Sequence, residues 1–308
     1  MTEALDAAAL AGFLAATIRI ATPLLLAALG ETVAERAGVI NLGLEGAMLV
    51  GALAAAYGSA TAGPWAGLAL GTGAGAVASL ILGSILLTGA NQIIAGTAIT
   101  LGCIGLTGAA HRVWVAGGAP PIVPTIAPTS IPLLAEIPVV GPAFFDQPLP
   151  TYIGLLLAPL LWWGLYRTRT GLAVRAAGES AVMARASGVR IKAVRTGALV
   201  FGGALGGLAG ASLVLAQVGS FAERMTAGRG YVAIAIVVLG RWHPAGVLMA
   251  AVGFGTVTAL QFVLQSLGLD VPYQLFLVLP YVLTLLALAG AVGRTRPPAD
   301  LGKEPEPV

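Results

Sequence analysis

Residues 167–195 read RTRTGLAVRAAGESAVMARASGVRIKAVR. They hold seven of the sixteen Lys and Arg residues and one acid, Glu179, in a chain that is only 9% charged. Apolar runs lie on both sides. A basic island this long between apolar runs is too long for a turn, and it has room for a small helix at a membrane surface. Such islands mark the cytoplasmic face.

The surrounding composition agrees. Of 308 residues, 57% are hydrophobic, and the mean hydropathy is +0.92. Soluble domains carry about 25% charged residues. Apolar runs of about 20 residues, the length of a membrane-crossing helix, recur from Leu10 to Ala291. In lipid only helices or closed barrels satisfy their own backbone groups, and the period-2 alternation of barrel strands is absent. The expectation is an all-α polytopic membrane protein with about eight to ten transmembrane helices, some broken or re-entrant. One transmembrane domain covers 1–293, followed by a Pro-rich, charged cytoplasmic tail, 294–308, expected to be disordered. Spans are placed at 10–30, 45–62, 64–88, 92–115, 149–166, 196–216, 230–240, 245–266 and 272–292. The stretch 230–240 is too short to cross alone, and is either extended by its neighbours or half of a broken helix.

Segment 116–148 carries prolines at 120, 121, 124, 128, 132, 138 and 142, a density that blocks regular helix. It has acids Glu136 and Asp146 and no basic residue, so it is placed outside. The island, Arg241 and the tail are placed inside. Counting crossings backward puts 31–45 inside and the N-terminus outside; if 31–45 is instead a re-entrant break, the N-terminus is inside. The pI of 9.3 is accounted for by these inter-span loops, so no nucleic-acid partner is expected. The N-terminus lacks the basic region of a cleaved signal peptide. Cys103, the sole cysteine, lies in an apolar run and reads as a small buried residue.

Chemistry-bearing motifs are mostly missing. There is no G-x-x-x-x-G-K-[ST] to cradle phosphates. Gly228-Arg-Gly-Tyr-Val-Ala233 fits a loose G-x-G-x-x-A but follows no strand. His111 and His243 have no ligand spacing, so no metal site and no catalytic residue is assigned. The chain is not expected to be an enzyme or to hold a cofactor.

Three features remain. ETVAERAGVINLGLE, 31–45, sets Glu31, Glu35, Arg36, Asn41 and Glu45 between two spans, where charge is costly. Its Ala34-Glu-Arg-Ala-Gly38 echoes Ala222-Glu-Arg224 followed by Ala227-Gly228, and paired interrupted helices point to a substrate path. Glycines at 67, 71, 75 and at 202, 206, 210 allow close helix packing, within the chain or between subunits. Within the island, Gly178 to Gly188 reads as a short helix. Glu179 and Ser180 suit its N-terminal end, Gly188 its stop, and Val182, Met183 and Ala186 form one apolar face.

These residues carry a resemblance. Gly178-Glu179, the small residues after it, Gly188-Val189 and Lys192 look like the cytoplasmic loop of ABC-transporter permeases. The segments 21–52, 91–102, 176–195, 202–213 and 222–246 resemble permeases of the branched-chain amino acid/simple sugar/nucleoside superfamily, closest to its nucleoside-importer branch. Thr100 departs from the Asn expected after GTAI. The resemblance implies a coupling helix, formed by Glu179, Ser180, Val182, Met183, Ala184, Ala186 and Gly188, that docks on a separate ABC ATPase. ATP and Mg would sit on that partner. It further implies a second homologous permease subunit, an extracytoplasmic substrate-binding lipoprotein and a bacterial inner-membrane location. A nucleoside needs amides, hydroxyls and aromatic faces. The candidate pathway residues are Asn41, Glu45, Asn91, Gln92, Thr97, Gln217, Phe221 and Gln261, with Phe262 and Tyr273 as further aromatics. The alternatives are a sugar or branched-chain amino acid permease of the same superfamily, and a stand-alone secondary transporter using an intramembrane charge such as Arg19, Glu31 or Glu45.

Overall fold

The computed structural model describes residues 2–116, 122–266 and 296–303, with isolated positions at 274, 278, 282, 289 and 290. Among the described residues eleven helices follow in order: α1 (Thr2–Arg36), α2 (Leu44–Ala62), α3 (Pro64–Leu86), α4 (Gln92–Val115), α5 (Val140–Phe144), α6 (Leu149–Arg167), α7 (Arg169–Glu179), α8 (Ala181–Ala186), α9 (Ile191–Leu213), α10 (Arg229–Leu239) and α11 (Pro244–Ser266). Among the described residues, six are long and apolar enough to cross a membrane: α1, α3, α4, α6, α9 and α11. Eight expected spans thus fall on helices, α2 and the half-length α10 included. Of the ninth, 272–292, only isolated positions are described.

Breaks fall where local chemistry demands them. The chain leaves α1 through Gly38 at φ +88°, a conformation that penalises any Cβ. The α2–α3 turn uses Gly63 at φ +90° followed by Pro64 at the first helical position, where a missing N–H costs nothing. Asn91 caps α4: its side-chain oxygen accepts the N–H of Ile93 and Ile94. Beyond α9 a single π turn, Val214–Val218, ends at Gly219 with φ +73°.

Helix α9 is the central post, packed against α1, α2 and α3. Its glycines bring backbones into contact. A methyl group at Gly210 would lie 1.9 Å from the Met48 carbonyl, and one at Gly75 would lie 2.3 Å from the Gly203 carbonyl. With lipid outside, such close approach supplies the dispersion energy that holds helices together. The glycine spacings therefore serve packing within the chain. Cys103 is buried and packs beside Ala47 and Ala78. The largest core cluster gathers Leu24, Leu26, Leu29, Leu44, Met48, Ile236 and Trp242.

Two expectations are corrected. The Pro-rich loop is more regular than its prolines suggest. Thr129 and Ser130 pair antiparallel with Gln147 and Asp146, and α5 forms because Pro142 sits in its first turn, where proline is tolerated. The loop is also tied to the bundle. Ser59 Oγ donates to the Pro124 carbonyl at 2.5 Å, and the Ile126 N–H donates to the Leu215 carbonyl at 2.8 Å. The tail is not disordered over 296–303. Pro298 is buried, Leu301 packs on the largest core cluster, and Asp300 is hydrogen-bonded to the island.

Candidate functional site

The island folds as two helices rather than one. Thr168 caps α7, its hydroxyl oxygen accepting the Gly171 N–H at 3.1 Å. Helix α7 then ends at Glu179, so this acid closes one helix instead of opening the next. Ser180 opens α8 by accepting the Met183 N–H at 3.3 Å. Gly188, at φ +87°, closes it: the Gly188 N–H reaches the Arg185 carbonyl at 2.9 Å and the Val189 N–H reaches Ala184 at 3.0 Å. These are the bonds of a left-handed helix stop.

The exposed face of α8 carries Val182 and Met183, 59% and 74% exposed, together with Ala186. Ala184 points the other way. It is buried against Ala177 and Ile191, so it holds α8 to its neighbours instead of meeting a partner. The island is braced by its own basic residues. Arg175 lies 4.9 Å over the Tyr166 ring and donates to the Leu165 carbonyl. Arg195, largely buried, donates to the Ala37 carbonyl at 3.2 Å.

The second region is the break between α1 and α2. Asn41 folds back so that its N–H donates to Glu31 Oε1 at 2.8 Å, and its amide lies 3.5 Å from Ser79 Oγ. Glu31 and Asn41 are both fully buried, and Glu31 Oε2 and Asn41 Oδ1 have no hydrogen-bond partner among the described residues. Polar atoms left in this way inside a membrane are costly, which singles the cluster out.

Glu45 serves the half-helix α10. One carboxylate oxygen accepts the Thr226 hydroxyl at 2.6 Å and the Gly228 N–H at 2.9 Å; the other accepts the Gly230 N–H at 2.6 Å. A carboxylate at a helix N-terminus meets both its orphan donors and its dipole. At the other end of α10, the Trp242 indole donates to Glu35, and Arg36 Nε donates to the Trp242 carbonyl at 2.9 Å. The residues flanking the first break therefore hold both ends of α10. His243, next to Trp242, titrates below the usual histidine value, because burial and then the Arg36 charge disfavour its protonated form.

The eight pathway candidates do not converge on one cavity. Asn41 and Glu45 share the break. Gln92 is buried at the island end, accepting the Ile40 N–H at 3.0 Å. Asn91 is an exposed cap, and the Thr97 hydroxyl bonds back to Ile93 on an exposed face. Gln217 lines a cavity of about 240 Å³ with Arg19, Thr125 and Pro148, and its amide donates to the Arg19 carbonyl at 2.7 Å. Phe221 is buried and meets His111 edge-on, 5.0 Å between ring centres. Gln261 is buried on α11, Phe262 beside it is 56% exposed, and Tyr273 lies outside the described residues. Sequence reasoning missed Ser79, Thr226, Trp242 and Asp300. The last had a signal in the turn-forming run Pro298-Ala-Asp-Leu-Gly302.

Fold and site together define a polytopic α-helical membrane protein with a broken-helix centre and a capped helix beside it at one face. The chain belongs to the family described as branched-chain amino acid transport system / permease component, whose model matches residues 13–288. It is 38% identical to a putative glucose ABC transporter permease of Haloferax volcanii, covering 92% of this chain and 93% of that one. It is 35% identical to a guanosine ABC transporter permease of Bacillus subtilis, covering 93% and 94%. It is 33% identical to a nucleoside ABC transporter permease of Lactococcus lactis, covering 91% and 92%. No solved structure matches the chain.

Proposed function

We propose that this chain is the permease subunit of a binding-protein-dependent ABC importer for nucleosides in a bacterial inner membrane. ATP would be hydrolysed on separate ATPase subunits. A second homologous permease subunit would complete the pore, and an extracytoplasmic binding lipoprotein would deliver substrate. The observation that carries the reading is the pairing of α8 with the α1–α2 break. Helix α8 is short, capped at both ends and apolar on its exposed face, as a part that a partner must grip should be. Gly178, just before it, packs so tightly on Arg36 that a methyl group there would lie 2.3 Å from the Arg36 carbonyl. A push on α8 is therefore felt at the end of α1 and at the break beyond it.

The substrate reading draws on the guanosine and nucleoside relatives, both aligned nearly end to end. It also fits the amides and aromatic rings near the opposite end, Gln217, Phe221, His111 and Trp114. A second reading, a simple sugar, is favoured by the 38% relative named for glucose. Uptake separates the two. In cells making the chain with its neighbouring permease, ATPase and lipoprotein, labelled guanosine or uridine should accumulate and unlabelled glucose or leucine should not compete. Competition by glucose moves the substrate to sugar, and uptake that survives loss of ATP refutes the importer reading.

A further inference from the structure

The described part of the tail forms a bridge. The Asp300 N–H donates to the Gly178 carbonyl at 2.8 Å, and Asp300 Oδ2 accepts the Ala181 N–H at 2.7 Å. The same carboxylate takes Lys303 Nζ at 2.9 Å on its other oxygen. At the far end of the turn, the Lys303 carbonyl accepts from Gln92 Nε2 at 3.0 Å. The oxygen of that amide accepts the Ile40 N–H, also at 3.0 Å. A continuous line of hydrogen bonds thus runs from the first residue of α8, through Asp300, Lys303 and Gln92, to the residue before Asn41. Leu301 anchors its middle in the core cluster that contains Leu44 and Met48.

We infer that residues 298–303 tie α8 to the α1–α2 break, and that Asp300 is a positioning residue through which displacement of α8 reaches the pathway. The inference rests on the importer reading above. Three observations carry it. First, α8 is supported from behind on one side only, by Ala184 against Ala177 and Ile191; on the other side a cavity of about 220 Å³ lies between it, the end of α3 and the start of α9, lined by Leu86, Arg185, Lys192, Leu199 and Asp300. A six-residue helix held on one side takes much of its position from its ends, and Asp300 holds the end that Ser180 caps. Second, the bond is charge-assisted. Asp300 ionises below the usual carboxylate range, chiefly because of the Ala181 N–H and then the Lys303 ammonium, and such bonds are short and strong. Third, Gln92 uses both ends of its amide, one on the tail and one on the break, so the line has no slack at its last link.

The test uses the full chain assembled with its ATPase and binding protein in proteoliposomes, reading substrate imported per ATP hydrolysed. Asp300→Ala should lower that ratio at least threefold, and so should Gln92→Ala at the other end. The double variant should be little worse than either alone, because both cut one line. Asp300→Asn keeps an acceptor for the Ala181 N–H but loses the charge and the Lys303 link, so its ratio should fall between Asp300→Ala and wild type. If wild-type uptake is ATP-driven and Asp300→Ala leaves the ratio unchanged, with assembly and rate falling together, the tie is overturned while the importer reading stands. If wild-type uptake does not depend on ATP, both are overturned.

Discussion

The glycine seam between α3 and α9 allows a sharp test. Gly73 and Gly75 lie two residues apart on α3. Among the described residues, a methyl group at Gly73 would find nothing within 4 Å, whereas one at Gly75 would lie 2.3 Å from the Gly203 carbonyl and 2.5 Å from Gly207 Cα. Each change to alanine gains the same helix propensity, about 1 kcal/mol, so the difference between the two variants isolates the contact. At Gly75 the methyl is roughly 1 Å short of ordinary contact with backbone that cannot rotate away. The helices must part along the seam, losing dispersion at Gly71 and Gly207 as well. Overpacking of this kind costs about 1–3 kcal/mol, sometimes more, so Gly75→Ala should be less stable than Gly73→Ala by about that amount. Reversible unfolding in mixed micelles, followed by tryptophan fluorescence, measures it. Equal stability of the two variants would refute the claim that the seam is closed by backbone contact.

Three further outcomes follow from the site. Glu45→Ala orphans the Gly228 and Gly230 N–H groups at about 1–3 kcal/mol each. Glu45→Gln, with one good acceptor, should fall between it and wild type, and a wild-type melting curve for Glu45→Ala would remove the cap. On α8, Ala184→Leu should lower stability by about 1–3 kcal/mol through overpacking, whereas Met183→Glu should leave stability within about 0.5 kcal/mol and weaken binding of the ATPase in pull-down. The reverse pattern would mean that the faces of α8 are wrongly assigned. Protonation of His243 is disfavoured in the fold, by burial and then by the Arg36 charge, and its Nδ1 accepts the Ala245 N–H. The unfolded chain therefore binds a proton first, and stability should decline as pH falls below the free-histidine value of about 6.5. His243→Asn should flatten that decline, and an unchanged slope would assign the acid sensitivity elsewhere.

Much of the fold was legible because lipid makes apolar length the dominant variable. Eight of the nine expected spans fall on helices, six of them long and apolar enough to cross a membrane, and these, with the half-length of α10 and the stop at Gly188, can be read from hydrophobic runs and from glycine. What could not be read depends on partners distant in sequence. Glu45 looks like a pathway acid until Thr226, Gly228 and Gly230 are placed around it. Asn91 looks membrane-embedded until its side chain is seen to cap α4. Asp300 sits in a tail whose composition suggests disorder, and only its meeting with Gly178 and Ala181 gives it a role. In the island the charges mask α7, whose start shows only in the Thr168 hydroxyl accepting the Gly171 N–H.

The grip that residues 31–45 exert on both ends of α10 bears on how this protein can be recombined with its relatives. Glu35, Arg36 and Glu45 on one side, and Thr226, Gly228, Gly230 and Trp242 on the other, act as a lock with its key. A chimera that takes only one of the two segments from a sugar or nucleoside relative inherits half of a fitted pair. Transplants meant to change what the protein carries should move 31–45 and 222–242 together, and leave the rest of the scaffold in place.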